Sequence, residues 1–160
     1  MGKQNIKIYE FEKDHRISGF FAENWGSDFI ISRGEMFHGK ELPGFMVLDD
    51  NKIVGLLTYH LKNGSCEIVS LDSLRERQGI ASSLIEKIIN KAKQENYKRL
   101  WLITTNDNVD AMKFYQKRGF VFKEVYQNAI KKSRKLKPEI PECGFYGIPI
   151  RDEVEFEYPL

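Results

Sequence analysis

The most regular hydrophobic pattern in the chain lies between residues 71 and 95, where an apolar run leads through a basic turn into an amphipathic segment. Apolar residues recur there at intervals of three and four positions, which is the spacing of one helix face. They are Ile80, Ala81, Leu84, Ile85, Ile88, Ile89 and Ala92. The pattern predicts a strand, a glycine-containing turn at Arg75 to Ser83, and a helix from Gln78 to about Asn96.

Shorter patterns describe the chain before this helix. Alternation at Ile6 to Tyr9 predicts a strand, and apolar positions 17, 20, 21 and 25 predict a helix within Phe11 to Trp25. Gly26 to Pro43 lacks periodicity but has many apolar residues, so we expect an irregular segment folded over the domain. Three strands follow, joined by turns that include Asn63-Gly64, a strong hairpin signal. These strands are Phe45 to Leu48, Ile53 to Tyr59 and Cys66 to Leu71.

After the amphipathic helix, strands again alternate with a helix. Leu100 to Ile103 is a continuous apolar run, as expected of a strand that is covered on both faces. Asn108 completes a polar cap for a helix from Val109 to Lys117, and Gly119 stops this helix. Phe120 to Tyr126 then resumes as a strand.

The last part of the chain combines a basic run with a final strand. Lys131 to Lys137 predicts a solvated helix face, with a specific anion-binding role as the alternative. Apolar residues at 154, 156 and 158 alternate with Glu153, Glu155 and Glu157, which predicts a strand with one buried face. An antiparallel meander followed by two strand–helix–strand units predicts a single α+β or mixed α/β domain over residues 1–160.

Composition narrows the classes of function. With 160 residues, 41% of them hydrophobic, the chain is large enough to bury one core. A net charge of +2 gives no reason to expect nucleic acid or a membrane surface as partner. No apolar run is long enough for a signal peptide or a membrane span, so we expect a cytoplasmic protein whose two cysteines are free thiols. The three histidines share no ligand spacing with these cysteines, and no metal site is expected.

The turn before the amphipathic helix has the chemistry of an anion site. Gly79 and Ala81 bring small residues to a helix start, where backbone N–H groups have no intrahelical partner. The positive end of the helix dipole and the neighbouring Arg75 and Arg77 favour a phosphate or pyrophosphate. The alternative is a helix start with small residues for close packing and with arginines in water.

Several motifs together resemble the GNAT superfamily of acyl-CoA-dependent N-acetyltransferases. They are Arg75 to Ile85, Trp101 to Thr105, Asn106-Asp107-Asn108, Ala111, and Phe114 to Phe120. The stretches around Trp25-Gly26-Ser27 and Leu42-Pro43-Gly44 also resemble a bacterial subgroup of uncharacterised members. One departure is Glu76, a carboxylate inside the pyrophosphate turn. The resemblance implies a central mixed sheet with helices on both faces.

The resemblance also implies acetyl-CoA as co-substrate. Its pyrophosphate is expected at the turn, formed by Arg75, Arg77, Gln78, Gly79, Ile80, Ala81 and Ser82. Its pantetheine arm is expected along Val69 and Leu71, like an added strand, with Asn108 in contact with this arm or with the adjoining chain. The alternatives are an ordinary core strand for Val69 and Leu71 and a plain helix cap for Asn108. A backbone N–H near Leu71 would lie where charge develops on the thioester oxygen.

Two residues are the candidate catalytic groups. Tyr115 matches the family's general acid, which protonates the departing CoA thiolate; the alternative is ordinary helix packing with Phe114. Glu67 is the candidate general base for the acceptor amine, because period two places it on one face with Val69 and Leu71. The alternative for Glu67 is an ion pair with a lysine or arginine.

The acceptor side is expected from the segments near the start and end of the chain. Trp25 and Phe37 are candidate apolar walls, and Glu35, Asp152 and Glu153 are candidate carboxylates for a cation. This set favours a small molecule with a primary amine over a folded protein, and the resemblance implies direct acetyl transfer to it in a ternary complex. The alternatives are loops that only cap the core, and a catalytically weak CoA-binding or protein-interaction module. The identity of the acceptor and the choice between monomer and homodimer stay open.

Overall fold

The structure, a computed structural model, describes residues 7–160 and gives them nine strands and four α-helices. The strands are β1 (Ile8–Phe11), β2 (Phe29–Ser32), β3 (Glu35–His38), β4 (Gly44–Asp49), β5 (Lys52–Lys62), β6 (Ser65–Ser73), β7 (Arg99–Thr105), β8 (Val121–Tyr126) and β9 (Glu153–Tyr158). The helices are α1 (Arg16–Trp25), α2 (Ile80–Gln94), α3 (Val109–Lys117) and α4 (Ala129–Leu136). The predicted first strand began at Ile6, which lies outside the described residues.

Seven of these strands form one mixed sheet in the order β1-β4-β5-β6-β7-β9-β8. Neighbouring strands are antiparallel throughout residues 7–160 except for β6 and β7, which run parallel and are connected through α2. The final strand β9 is inserted between β7 and β8. The predicted mixed α/β class is confirmed.

Buried side chains fill both faces of the sheet. On one face, Leu84 and Ile88 of α2 pack with Phe156 of β9, and α3 adds partly buried residues to the same cluster. On the other face, Phe21 of α1 and Phe37 of β3 form a second cluster. Each fully buried side chain of this size stabilises the fold by about 1.5–3 kcal/mol. The expectation of helices on both faces is confirmed.

The segment predicted to be irregular between residues 26 and 43 contains a β-hairpin, so that prediction is wrong. Strands β2 and β3 pair with each other, and the opposed residues Ile30 and Phe37 are both buried in the core. Arg33 and Gly34 connect the strands with positive φ angles of 49° and 75°, which is the turn geometry that matches the twist of a hairpin. A non-glycine residue at the first position hid this signal.

Strand β9 is buried on both faces, which corrects the prediction of one buried face. Glu153 and Glu155 are only 2% and 6% exposed. They are enclosed because β7 and β8 flank β9, while Arg33 and Tyr126 pair with these carboxylates. The arginine comes from a turn about 120 residues earlier, so alternation alone did not predict the burial.

A β-bulge in β6 changes which side chains of this strand lie on the same face of the sheet. Tyr59 of β5 pairs with Ile68 of β6, and the preceding residue, Thr58, pairs with Ser70. Val69 is therefore an extra residue in β6. Val69 packs into the cluster beneath α1, whereas Leu71 packs against the cluster beneath α2. The prediction that Leu71 shares a face with Glu67 and Val69 is therefore wrong.

Candidate active site

The site is an opening in the middle of the sheet, where the two parallel strands separate. Strands β6 and β7 pair only as far as Ile68 opposite Leu102, although β6 continues to Ser73 and β7 to Thr105. A cavity of about 810 Å³ lies at this opening, and Val69 and Leu71 line it. The bulge and the separation together leave backbone groups of β6 available to a ligand.

Helix α2 begins on the side of the sheet where the carboxyl end of β6 lies. Gly79 adopts φ 71° and begins the helix without any side-chain cap. Within residues 7–160, the backbone N–H groups of Ile80, Ala81 and Ser82 have no hydrogen-bond acceptor. These donors and the positive end of the helix dipole are groups that could bind an anion.

Three arginines and one carboxylate lie near the start of α2, and they differ in their partners and in their exposure. Arg75 is held by an ion pair with Asp49, whereas Arg77, like Gln78, is exposed. Arg118, which directly follows α3, was missed by the sequence reasoning. Its Nη2 donates a hydrogen bond of 2.5 Å to Ser82 Oγ. Glu76 is exposed.

Tyr115 lies in the core near this opening and does not line the cavity itself. Its ring packs against Phe120 and Phe156, with centroid distances of 5.4 and 6.4 Å. Burial raises the pKa of Tyr115 above its usual value, and the nearby Asp72 carboxylate adds to this shift. The phenol therefore keeps its proton throughout the neutral range, as a general acid requires.

Asp72 of β6 is a cavity residue that the sequence reasoning missed. Its Oδ2 accepts a hydrogen bond of 3.1 Å from Nε1 of Trp25, which also lines the cavity. Burial raises the pKa of Asp72 to about 6, and the bond from Trp25 opposes the shift. The pair joins the end of α1 to the strand along which the cavity runs.

Glu67 is buried between β6 and the β2–β3 hairpin. Only 5% of the residue is exposed, and its Oε2 accepts a hydrogen bond from Ser32 Oγ. Burial raises the pKa of Glu67 to about 7, with smaller contributions from Glu35, Glu153 and Glu155. A carboxyl group with this pKa can exchange a proton near neutral pH.

The carboxylates of β9 belong to a buried ionic network on the same face of the sheet. Glu153 accepts hydrogen bonds of 3.0 Å from both the backbone N–H and Nη1 of Arg33. Glu155 accepts a bond of 2.9 Å from Tyr126 and also pairs with Arg99. Glu153 is the member of this network that lines the cavity.

The remaining predicted acceptor residues lie away from the cavity wall. Phe37 belongs to the core cluster and stacks near His60, and Glu35 is exposed on β3. Asp152 is buried, and its carboxylate accepts bonds from the Asn128 N–H at 2.8 Å and from the Arg151 guanidinium. These contacts hold the segment between α4 and β9. Of the predicted set, the structure brings together Trp25 and Glu153 at the cavity.

Lys137 links the part of the cavity wall that comes from late in the chain to the part that comes from early in the chain. Its Nζ donates hydrogen bonds of 3.0 Å to the backbone carbonyls of Trp25 and Phe29. It is 6% exposed, and burial lowers its pKa. Ser27 adds a second link by donating to Glu139. The basic run therefore does not end as a solvated face, because its last lysine is part of the cavity wall.

Asn108 connects the cavity to α3. Its Oδ1 accepts a hydrogen bond of 3.2 Å from the N–H of Ala111, which caps the helix, and the residue also lines the cavity.

Within residues 7–160, none of the helices combines the length and apolar character that crossing a bilayer requires. The same residues hold no group of three or more His, Cys, Asp or Glu side chains arranged to bind a metal ion.

This combination of separated parallel strands and an uncapped helix start agrees with the family comparison. The model of the acetyltransferase (GNAT) family matches residues 8–120. The chain therefore belongs to the GNAT acetyltransferase family, as the motif resemblance predicted.

Known proteins with similar sequences or folds extend over nearly the whole chain. Uncharacterized protein YdhI of Bacillus subtilis (strain 168) is 46% identical over 143 residues, which cover 89% of each protein. An IAA acetyltransferase from Bacillus cereus ATCC 14579 superposes with a TM-score of 0.73 at 16% identity, covering 98% of this chain and 100% of that one. A GNAT family acetyltransferase from Elizabethkingia anophelis, solved with acetyl-CoA bound, gives a TM-score of 0.68 at 20% identity, covering 99% and 100%.

Proposed function

We propose that this chain is an acetyl-CoA-dependent N-acetyltransferase that acts on a compact primary amine by direct transfer in a ternary complex. One observation carries the proposal: among residues 7–160, the unpaired N–H groups of Ile80, Ala81 and Ser82 begin α2, the helix that follows β6 after this strand has separated from β7. An anion site next to an unpaired strand suits a ligand with a pyrophosphate and an extended amide arm. The acetyl-CoA bound to the Elizabethkingia anophelis relative supports the same donor.

Acetyl-CoA would be held by groups that the fold has already placed. The N–H groups from Gly79 to Ser82, with Arg77 and Arg118 nearby, would bind the pyrophosphate. The backbone from Val69 to Leu71 would pair with the pantetheine arm, and Asn108 would contact it from α3. Ser82 already orients Arg118 toward this end of the helix.

Tyr115 would act as the general acid. In the transfer, the amine nitrogen bonds to the thioester carbon, the carbon–sulfur bond breaks, and the sulfur leaves as a thiolate. The thiolate takes the proton of Tyr115 as the carbon–sulfur bond breaks, although a thiol with a pKa of about 8.5 is a stronger acid than the phenol. The second proton of the acceptor, which leaves the new amide nitrogen, returns the phenolate to its neutral form, so the protons balance. The Asp72 carboxylate beside Tyr115 favours the neutral phenol.

Glu67 would act as the general base. At pH 7, an amine with a pKa near 10.4 needs about 4.6 kcal/mol to reach its neutral form. A carboxylate with a pKa of about 7 can receive this proton before the neutral amine attacks. The acidic surroundings, with Glu153 on the cavity wall, also favour a cationic acceptor over a neutral one.

A small acceptor fits the shape of the site better than a folded protein. The cavity of about 810 Å³ must hold the pantetheine arm as well as the acceptor, and the links from Lys137 and Glu139 bound it on the outer side. Apolar residues such as Trp25, Ile30 and Ile140 line the rest. We therefore expect an amine with a short apolar body.

Thiol release from acetyl-CoA, measured with a panel of amines, tests this function. The panel should contain polyamines, amino acids, aminoglycosides, arylalkylamines and short peptides, with mass spectrometry of each product. The best acceptor should be a compact amine that gains one acetyl group on nitrogen. A chain that binds acetyl-CoA but acetylates no amine would instead be a CoA-binding module, and acetylation confined to a lysine of a folded protein would refute the compact acceptor.

A further inference from the structure

Glu67 is separated from the cavity although its pKa suits a base. The residue is 5% exposed and does not line the cavity wall. An acceptor amine in the cavity therefore needs an intermediate group through which its proton reaches this carboxylate. The group must contact the cavity on one side and Glu67 on the other.

Ser32 meets both conditions. It is the last residue of β2, directly before the turn at Arg33 and Gly34, and it lines the cavity. Its hydroxyl donates a hydrogen bond of 2.5 Å to Oε2 of Glu67. A hydroxyl can accept one proton while it donates its own, because its oxygen carries two lone pairs besides the O–H bond.

We propose that the Ser32 hydroxyl relays the proton of the acceptor amine to Glu67, an inference that rests on the proposed acetyltransferase function. One N–H bond of the ammonium group breaks as its proton moves to Ser32 Oγ. The original Ser32 proton moves to Oε2 of Glu67 in the same step. The products are a neutral amine, an unchanged serine and a protonated carboxyl group, so charge and protons balance. The freed lone pair of nitrogen then attacks the thioester carbon.

The charges around Glu67 support a base that is active near neutrality. Three carboxylates act on it, Glu35 from β3 and Glu153 and Glu155 from β9, while His60 is its cross-strand neighbour on β5. Arg33 pairs with Glu153 and Arg99 pairs with Glu155, which leaves Glu67 without a cationic partner among residues 7–160. The ionised form of Glu67 is thus held mainly by the Ser32 hydroxyl.

The test is the pH dependence of kcat/KM in Ser32→Ala, Ser32→Thr and the wild type, with the best amine of the panel. The wild type should gain activity with rising pH through a limb near pH 7, where Glu67 ionises. Ser32→Ala should lose about 10²-fold or more at pH 7 and should lack that limb, rising instead toward the pKa of the free amine. Ser32→Thr, which keeps the hydroxyl, should restore both.

A second comparison uses Glu67→Gln, which preserves a hydrogen-bond acceptor for Ser32 but cannot accept the proton. Its loss should match that of Ser32→Ala, and the double variant should be no worse than either. Acetyl-CoA binding should stay within a few-fold in all variants, which verifies the fold.

The opposite results would overturn the relay. If Glu67 acted directly, Ser32→Ala would keep its maximal rate and only move the limb to higher pH, because the lost hydrogen bond had lowered the pKa. Additive losses in the double variant would also refute it. A wild type that acetylates no amine while binding acetyl-CoA would refute the proposed function, and the relay with it.

Discussion

Tyr115 combines the features of a packing residue with those of an acid. Its ring lies between Phe114, Phe120 and Phe156, so the aromatic part is held rigidly from several sides. Its hydroxyl is kept neutral by burial and by the Asp72 carboxylate. Because the packing uses the ring and the proposed proton donation uses the hydroxyl, one substitution can separate them.

Removing only the hydroxyl should stop the proposed proton donation without disturbing the core. We expect Tyr115→Phe to lower kcat by about 10²-fold, which is the usual contribution of positioned acid–base catalysis. The dissociation constant of acetyl-CoA should change by no more than a few-fold, since the ring stays in place. Tyr146→Phe is the matched control: this tyrosine is 71% exposed and donates only to Asp110, so its loss should leave kcat unchanged. Equal turnover in both variants would leave Tyr115 with packing alone.

At the scale of elements, the start of α2 is the part with the clearest demand on one residue. Gly79 has a positive φ, and a Cβ there would meet no atom within 4 Å. Asparagine and aspartate tolerate this backbone conformation comparably and have nearly the same volume. A comparison between them therefore isolates the effect of charge at the proposed pyrophosphate site.

We expect Gly79→Asn to keep most of the thermal stabilisation by acetyl-CoA and Gly79→Asp to lose it. A ligand at a hundred times its dissociation constant adds about 2.7 kcal/mol, which raises the Tm of a chain of this size by roughly 5–11 °C. Melting curves with acetyl-CoA, and with NAD as a ligand that should give no shift, provide the measurement. Equal shifts in the two variants would show that the pyrophosphate binds elsewhere.

Helices were predictable where their own periodicity determines them. The apolar spacing of α2 and the cap and stop residues of α3 were read correctly, because each depends on residues within the element. The bulge at Val69 was not predictable, since it depends on how β6 pairs with β5. The burial of Glu153 was missed for the same kind of reason: its partner Arg33 is distant in sequence.

The residues of the candidate site also differ in whether local sequence or distant contacts determine their place. The glycine turn and Tyr115 lie in local motifs, so the sequence alone pointed to them. Ser32 and Arg118 enter the site through contacts with distant residues, Ser32 with Glu67 and Arg118 with Ser82. Phe37 illustrates the converse, because an aromatic residue in an apolar segment packs into the core as readily as it lines a cavity.

For the whole molecule, one long-range link joins the end of α4 to the end of α1 and the start of β2. Lys137 donates to the carbonyls of Trp25 and Phe29 across 112 and 108 residues of sequence. Because the cation is buried, these bonds are shielded from water and strengthened. The link fixes both sides of the cavity wall relative to each other.

We expect Lys137→Met to lower the free energy of unfolding by about 1–2 kcal/mol, since hydrogen bonds from a charged donor are lost while the cost of burying the charge disappears. KM for the amine should rise, and KM for acetyl-CoA should stay nearly constant. Chemical denaturation and steady-state kinetics measure the two effects. Lys135→Met is the control, because this neighbour is exposed and its replacement should change stability by less than about 0.5 kcal/mol. A Lys137 variant that matches this control would show that the link carries no energy.

The position of β9 also determines the order in which the chain can fold during synthesis. Strand β8 is translated before β9, yet β9 is the strand through which β8 joins the sheet. Until residues 153–158 have been made, the edge of β7 has no partner and β8 has nowhere to dock. Val121, Phe122 and Val125 remain about half exposed even in the finished sheet. A nascent chain therefore presents two unpaired strand edges and an apolar ribbon, which are features that promote aggregation before folding is complete.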